Sequence, residues 1–138
     1  RGGDMDPEGE RQIAAHVAEK FGHEFVFLTD YPSTVRPFYH MRHAENDALT
    51  NSYDLIWRGV EITTGAQREH RIDVLTEQAK SKGLEPEGLK SYLDFFRYGA
   101  PTHGGFGMGL LRVLMLLLHQ PNIREVGYLF RGPNRLEP

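Results

Sequence analysis

The chain has 138 residues, 39% of them hydrophobic and 25% charged, and a net charge of −3. That balance suits one globular domain or a large piece of one, and it supplies no global basic field to draw in nucleic acid. The absence of cysteine excludes disulfides, zinc–thiolate sites and thiol catalysis.

In chain order, Asp6-Pro7-Glu8-Gly9-Glu10 reads as a helix entrance, with an N-cap aspartate, proline at the first helical position and acids in the first turn. Ile13, Val17 and Phe21, with Ala14 and Ala18, extend it as an apolar stripe that ends at Gly22. The continuous apolar run Phe25-Val26-Phe27-Leu28 predicts a strand buried on both faces. Thr29-Asp30-Tyr31-Pro32 closes it, Arg36-Pro37-Phe38-Tyr39 predicts a short second strand, and the polar stretch His43 to Thr50 a loop. Ser52 to Thr64 reads as a β-hairpin turning near Arg58-Gly59. Helices are expected from Arg71 to Lys82, stopped by Gly83, and from Glu87 to Arg97. The segment His103 to Gly109 leads into the apolar helix Val113 to Leu118, broken by Gln120-Pro121-Asn122, and a last strand is expected around Tyr128-Leu129-Phe130. Strands and helices alternate without a βαβ rhythm, so an α+β fold with a mixed, mainly antiparallel sheet flanked by helices is expected.

The longest apolar run, Val113 to Leu118, is too short to cross a bilayer, and the N-terminus lacks a signal-peptide pattern. A cytoplasmic chain without a membrane partner is the expectation. Because the chain opens Arg1-Gly2-Gly3-Asp4 rather than on methionine, it reads as a fragment, a processed form or the ordered part of something longer.

Two places carry chemistry. Gly104, Gly105, Gly107 and Gly109 let backbone approach a ligand closely. The helix start behind them and Arg112 in its first turn suit an anion such as a nucleotide; a glycine-rich strand feeding a core helix is the alternative. In the hairpin, a two-residue turn sets Val60 against Trp57, Glu61 against Ile56 and Thr63 against Asp54. Asp54 and Glu61 then become diagonal neighbours on one face, roughly 7–8 Å apart at the backbone. Two carboxylates so placed can share Mg²⁺, or they are solvated surface charges. Arg68 is a planar cation suited to a carboxylate. His103, beside the glycines, is a ligand contact or a cap; the other histidines have no zinc-like spacing.

Several ordered segments together resemble the C-terminal half of the catalytic domain of class II aminoacyl-tRNA synthetases, of the archaeal-type aspartyl subgroup with asparaginyl enzymes as near neighbours. They are Phe27-Leu28-Thr29-Asp30-Tyr31-Pro32 with Arg36-Pro37-Phe38-Tyr39, then Thr50-Asn51-Ser52-Tyr53-Asp54-Leu55. Gly59-Val60-Glu61-Ile62-Thr63-Thr64-Gly65-Ala66-Gln67-Arg68 follows, then Phe96-Arg97-Tyr98-Gly99-Ala100-Pro101 and the glycine segment, which looks like the family's third motif. Asn122-Ile123-Arg124-Glu125-Val126 and Asn134-Arg135-Leu136-Glu137-Pro138 look like the end of such an enzyme.

The resemblance implies activation of aspartate by ATP to aspartyl-adenylate and transfer to tRNA. It assigns Asp54, Glu61 and Thr64 to Mg²⁺, and Arg68, Gln67 and Gly105 to the amino acid. Glu61, Gly107, Gly109 and Arg112 fall to ATP, with Arg112 as the catalytic residue. It favours Thr64 over the Thr63 of the simple hairpin, a difference that a bulge would reconcile. It also implies a homodimer in the full-length protein. Leu111 stands where the family usually has an acid, Thr102 replaces a usual proline, and no anticodon-binding domain or first or second motif is found. A catalytic half inactive by itself is therefore the leading expectation. A stand-alone paralog that binds or activates aspartate or asparagine without charging tRNA, and a non-catalytic module, are the alternatives.

Overall fold

The computed structural model describes residues 3–137. Helix α1 spans Pro7–Phe21: Asp6 caps it by accepting the Gly9 N–H at 2.8 Å, and Gly22 ends it in the left-handed region at φ 69°. Both signals were legible in sequence. The strands are β1 (Phe25–Thr29), β2 (Ser52–Trp57), β3 (Val60–Gln67) and β4 (Gly104–Met108), and they form one sheet in the order β1-β2-β3-β4. All three pairings are antiparallel. Helices α2 (Ile72–Ser81) and α3 (Lys90–Arg97), joined through a 3₁₀ turn at Pro86–Leu89, precede β4, and α4 (Leu110–Leu117) follows it directly. This is the expected α+β architecture.

Four local expectations change. β1 is an edge of this sheet and not a doubly covered strand: Phe25 and Phe27 remain 49% and 59% exposed. An unbroken apolar run cannot reveal how many faces are covered, because that depends on neighbours far along the chain. The segment Arg36 to Tyr39 forms turns, with single bridges at Pro32–Leu49 and His40–Arg68 on either side. Pro37 has no N–H to give a ladder. The expected helix from Glu87 starts as the 3₁₀ turn and becomes α-helical only at Lys90. The expected last strand around Tyr128–Phe130 is absent; a 3₁₀ turn at Ile123–Val126 precedes irregular chain there.

The hairpin turns at Arg58 (φ 48°) and Gly59 (φ 79°), the left-handed pair that matches strand twist in a two-residue loop. Trp57 faces Val60 and Ile56 faces Glu61, as expected. Ile62 is then skipped as a bulge, so Leu55 faces Thr63 and Asp54 faces Thr64. The bulge places Thr64, not Thr63, beside the acids.

A separate hydrophobic core lies between α2 and α3, built on Leu75, Leu93 and Phe96 with Phe38, Tyr39, Ile72, Leu89 and Tyr92 packed against it. The Gln78 side-chain amide of α2 donates to the backbone carbonyls of Phe38 and His40, at 2.6 and 3.2 Å respectively. The chain between Pro37 and His40 is thereby pinned to α2 although it belongs to no strand.

Across the sheet, Tyr53 pairs with Gly65, and its ring lies over that glycine; a Cβ at Gly65 would come within 2.4 Å of the ring. Gly65→Ala should therefore lower unfolding free energy by about 1–3 kcal/mol, the usual cost of overpacking. Urea denaturation checks this, and an unchanged midpoint would show that the ring moves aside freely.

Candidate active site

Directly paired residues of an antiparallel ladder share a face, so register alone lists what one face of this sheet carries. Ile56 and Glu61 form one row. Asp54, Thr64 and Gly107 form the next, then Ser52, Ala66 and Gly105. Beyond them the Arg68 N–H donates to the His103 carbonyl at 2.9 Å, and His40 bridges Arg68 from the other side. The face is a trough, acidic at one end and cationic at the other. Thr64 and Arg68 are four residues apart, about 13 Å at strand rise. Its middle is lined by residues with little or no side chain.

At the cationic end Arg68 lies over the Tyr39 ring, 4.8 Å from its centroid, in a hollow of about 420 Å³ lined also by Tyr92, Phe96, His103, Gly104 and Gly105. A side chain at Gly105 would begin 3.4 Å from Arg68 Nε, so glycine leaves the guanidinium room. Arg68 Nη1 is buried without a hydrogen-bond partner among the described residues, and no carboxylate lines the hollow. A buried cationic donor without a partner is costly; a planar carboxylate is its natural complement. A larger hollow of about 750 Å³ lies between the His43–Asp47 loop and α2, but its Arg71 is already paired with Glu69 at 2.8 Å. Among the described residues Arg68 is therefore a cation left open to an anion.

At the acidic end Asp54, 4% exposed, takes Arg36 Nη2 at 2.5 Å on one oxygen, while its Oδ1 is buried without a hydrogen-bond partner among the described residues. Arg36 in turn stacks on Tyr31, 3.7 Å from the ring centroid. Burial, then the Asp54 carboxylate beside it, push the Tyr31 phenol up. Glu61 accepts the Thr64 hydroxyl at 3.0 Å on Oε1. Arg112 Nη1 donates to the Glu61 carbonyl at 2.6 Å and lies 3.5 Å from its Oε1. Burial pushes the Glu10 carboxyl of α1 up, opposed by the Glu61 N–H that it accepts.

The sequence-derived residues thus fall on one face, with qualifications. Gln67 alternates to the other face, and its Oε1 accepts from Asn51 at 3.1 Å. Gly109 acts through its backbone, its N–H closing on the Ile62 carbonyl at 2.8 Å where β4 passes into α4. A Cβ at Gly107 would meet nothing within 4 Å, so glycine there serves the space above it. Leu111 Cδ1 comes within 3.8 Å of where a Cβ on Gly127 would stand, and Glu61 places a carboxylate oxygen 3.5 Å from Arg112 Nη1. Sequence reasoning missed Arg36 as the partner of Asp54, and Tyr39 and Tyr92 as pocket walls. It also missed Glu10. Each lies more than ten residues from its partner, beyond any local periodicity.

With this geometry in view, the chain belongs to the class II tRNA synthetases for aspartate, lysine and asparagine, whose family model matches residues 2–131. Within that family it is 50% identical to an aspartate–tRNA(Asp/Asn) ligase of Aeropyrum pernix and 47% identical to an aspartate–tRNA(Asp) ligase of Pyrococcus furiosus, each over 137 residues. The match takes in 99% of this chain but only 31% of either ligase. The aspartyl-tRNA synthetase of Entamoeba histolytica superposes with a TM-score of 0.94 at 40% identity, over 98% of this chain and 28% of that one. The asparaginyl enzyme of Pyrococcus horikoshii gives 0.88 at 31% identity, over 99% and 32%.

His40 is 3% exposed beside this site. Burial first, then the Arg68 and Arg36 cations, push its imidazole down to about 4. Unfolded, it would titrate near 6.5, so between those values the unfolded chain binds a proton that the folded chain refuses. Stability should fall as pH drops through that window, by roughly 3 kcal/mol at most from this group. Urea unfolding of His40→Gln should show a shallower loss from pH 6.5 to 4; an identical slope would remove His40 as the cause.

Proposed function

We propose that this chain is the catalytic half of an aspartate–tRNA ligase, joining aspartate to AMP at the expense of ATP and then to tRNA. The observation that carries the reading is the buried, unpartnered Arg68 Nη1 at one end of a trough whose other end holds Asp54, Glu61 and Arg112. The distance between the ends suits an amino acid followed by a phosphate. Arg68 takes the aspartate side-chain carboxylate, with Gly105 leaving space for it. The α-carboxylate then lies toward Thr64, where its oxygen attacks the α-phosphorus of ATP. A P–O bond forms to aspartate as the bond to the β-phosphate oxygen breaks, and pyrophosphate leaves with the electron pair. Gly107 and Gly109 leave the nucleotide an open backbone surface, and Arg112 offsets charge that grows on the phosphate oxygens. Such catalysis is alignment plus charge stabilisation.

Among the described residues no three His, Cys, Asp or Glu side chains converge on one point, so a full protein cage for a metal is not what this site offers. Mg²⁺ takes one or two carboxylates and completes its shell with phosphates and water. The unpartnered Asp54 Oδ1, the Glu61 carboxylate and the Thr64 hydroxyl fit that demand. Bound there, Mg²⁺ would neutralise the triphosphate. The reading extends to tRNA as acceptor, to a homodimeric full-length protein and to the cytoplasm, by likeness to relatives that include a cytoplasmic aspartate–tRNA ligase of Arabidopsis thaliana.

Aspartate-dependent ATP–pyrophosphate exchange by a full-length protein containing this chain tests the reaction, because the half by itself is expected to be inactive; no exchange there would refute the reading. Calorimetry tests the grip directly: Arg68→Ala should weaken aspartate binding by at least about 30-fold, as loss of a buried charge partner does, with circular dichroism unchanged. Unaltered affinity would refute the role. Glu61→Gln should weaken Mg·ATP more than ATP alone; equal losses would count against a metal at this place.

A further inference from the structure

Glu61 stands outside the β3–β4 ladder, which pairs only Thr63 to Gln67 with Gly104 to Met108. Side chains from two helices take its backbone groups instead. Its N–H donates to Glu10 Oε2 of α1 at 3.3 Å, and its carbonyl accepts from Arg112 of α4 at 2.6 Å. The carboxylate of Glu61 is held separately by Thr64. Helix α1 is seated firmly enough to deliver Glu10 there. A Cβ at Gly59 would lie 3.1 and 3.2 Å from Arg11 Cγ and Cα, so only a glycine turn admits the helix this close.

We propose that Glu10 is a positioning residue for Glu61, and through it for the Mg²⁺ and triphosphate that Glu61 would hold. The inference rests on the metal reading given above. Glu10 touches neither ion nor substrate. It satisfies the N–H of the first bulge residue, which would otherwise compete for water and let the start of β3 drift. Arg112 holds the same residue by its carbonyl, so when that arginine turns toward a phosphate, Glu10 is the side chain that still holds the Glu61 backbone. Only an acceptor is required of it, not a charge. A glutamine would serve and an alanine would not.

The test is calorimetric titration of ATP, with and without Mg²⁺, into the chain and its Glu10→Ala and Glu10→Gln variants. Glu10→Ala should weaken Mg·ATP binding about tenfold, as loss of an outer-shell support typically does, while ATP alone changes by less than about twofold. Glu10→Gln should bring Mg·ATP back to within about threefold, because its amide oxygen accepts the same N–H. Equal loss with and without Mg²⁺ in the alanine variant, or no recovery in glutamine, would overturn the proposal. Glu61→Gln separates the two readings. If it abolishes the Mg²⁺ preference while Glu10→Ala leaves that preference intact, the positioning role alone fails. If the unsubstituted chain gains nothing from Mg²⁺, or Glu61→Gln keeps the gain, the metal reading fails and this inference with it.

Discussion

The single skipped residue in the β2–β3 pairing governs the direction of every side chain on the trough. In a strict ladder, one face holds every second residue, and Glu61 would share its face with Thr63 rather than Thr64. Skipping Ile62 lets Glu61 face Ile56 while Thr64 faces Asp54. From Thr64 onward ordinary alternation carries Ala66 and Arg68 to the same side. Without the bulge, the acidic end and the arginine would lie on opposite faces of the sheet. A bulge also sharpens local twist, and it leaves the Glu61 peptide free for side chains from α1 and α4.

The same face manages its charges unevenly. Asp54 is held by Arg36 and Glu61 by Arg112 and Thr64, so the acids are oriented before any ligand arrives. Arg68 is supported by an aromatic ring, but among the described residues no acid lies against it. Beside it, burial keeps His40 neutral, so a second positive charge does not compete for the same anion. Among the described residues no carboxylate meets the Arg68 cation. That is preorganisation in the electrostatic sense, with the desolvation cost met by folding.

The helical cluster behind the arginine extends this logic. Phe96, Tyr92 and Tyr39 belong to the core around Leu75 and Leu93 and also form the wall of the Arg68 hollow. Packing between α2 and α3 therefore sets pocket shape, and the Gln78 amide clamps the irregular segment that brings Tyr39 there. Changes in that core would reach the pocket without touching its lining.

Much of the fold was legible from local signals. The Asp6-Pro7 entrance and Gly22 stop bounded α1, Arg58-Gly59 marked the hairpin, and the glycine segment pointed to the start of α4, its strand being only the alternative reading. Family resemblance added Thr64 where a simple hairpin pointed to Thr63. These succeed because capping, turn geometry and glycine freedom act over a few residues. Strand coverage, the fate of Arg36 to Tyr39 and the partners of Asp54, Arg68 and Glu61 could not be read that way. Glu10 meets Glu61 across 51 residues, and Phe25 is exposed for want of a neighbour that no local pattern records. Residue types and their spacing determined which chemistry the chain can offer; only the packed sheet, by its register and its helices, decided which groups meet, because long-range contacts depend on how the whole chain closes on itself.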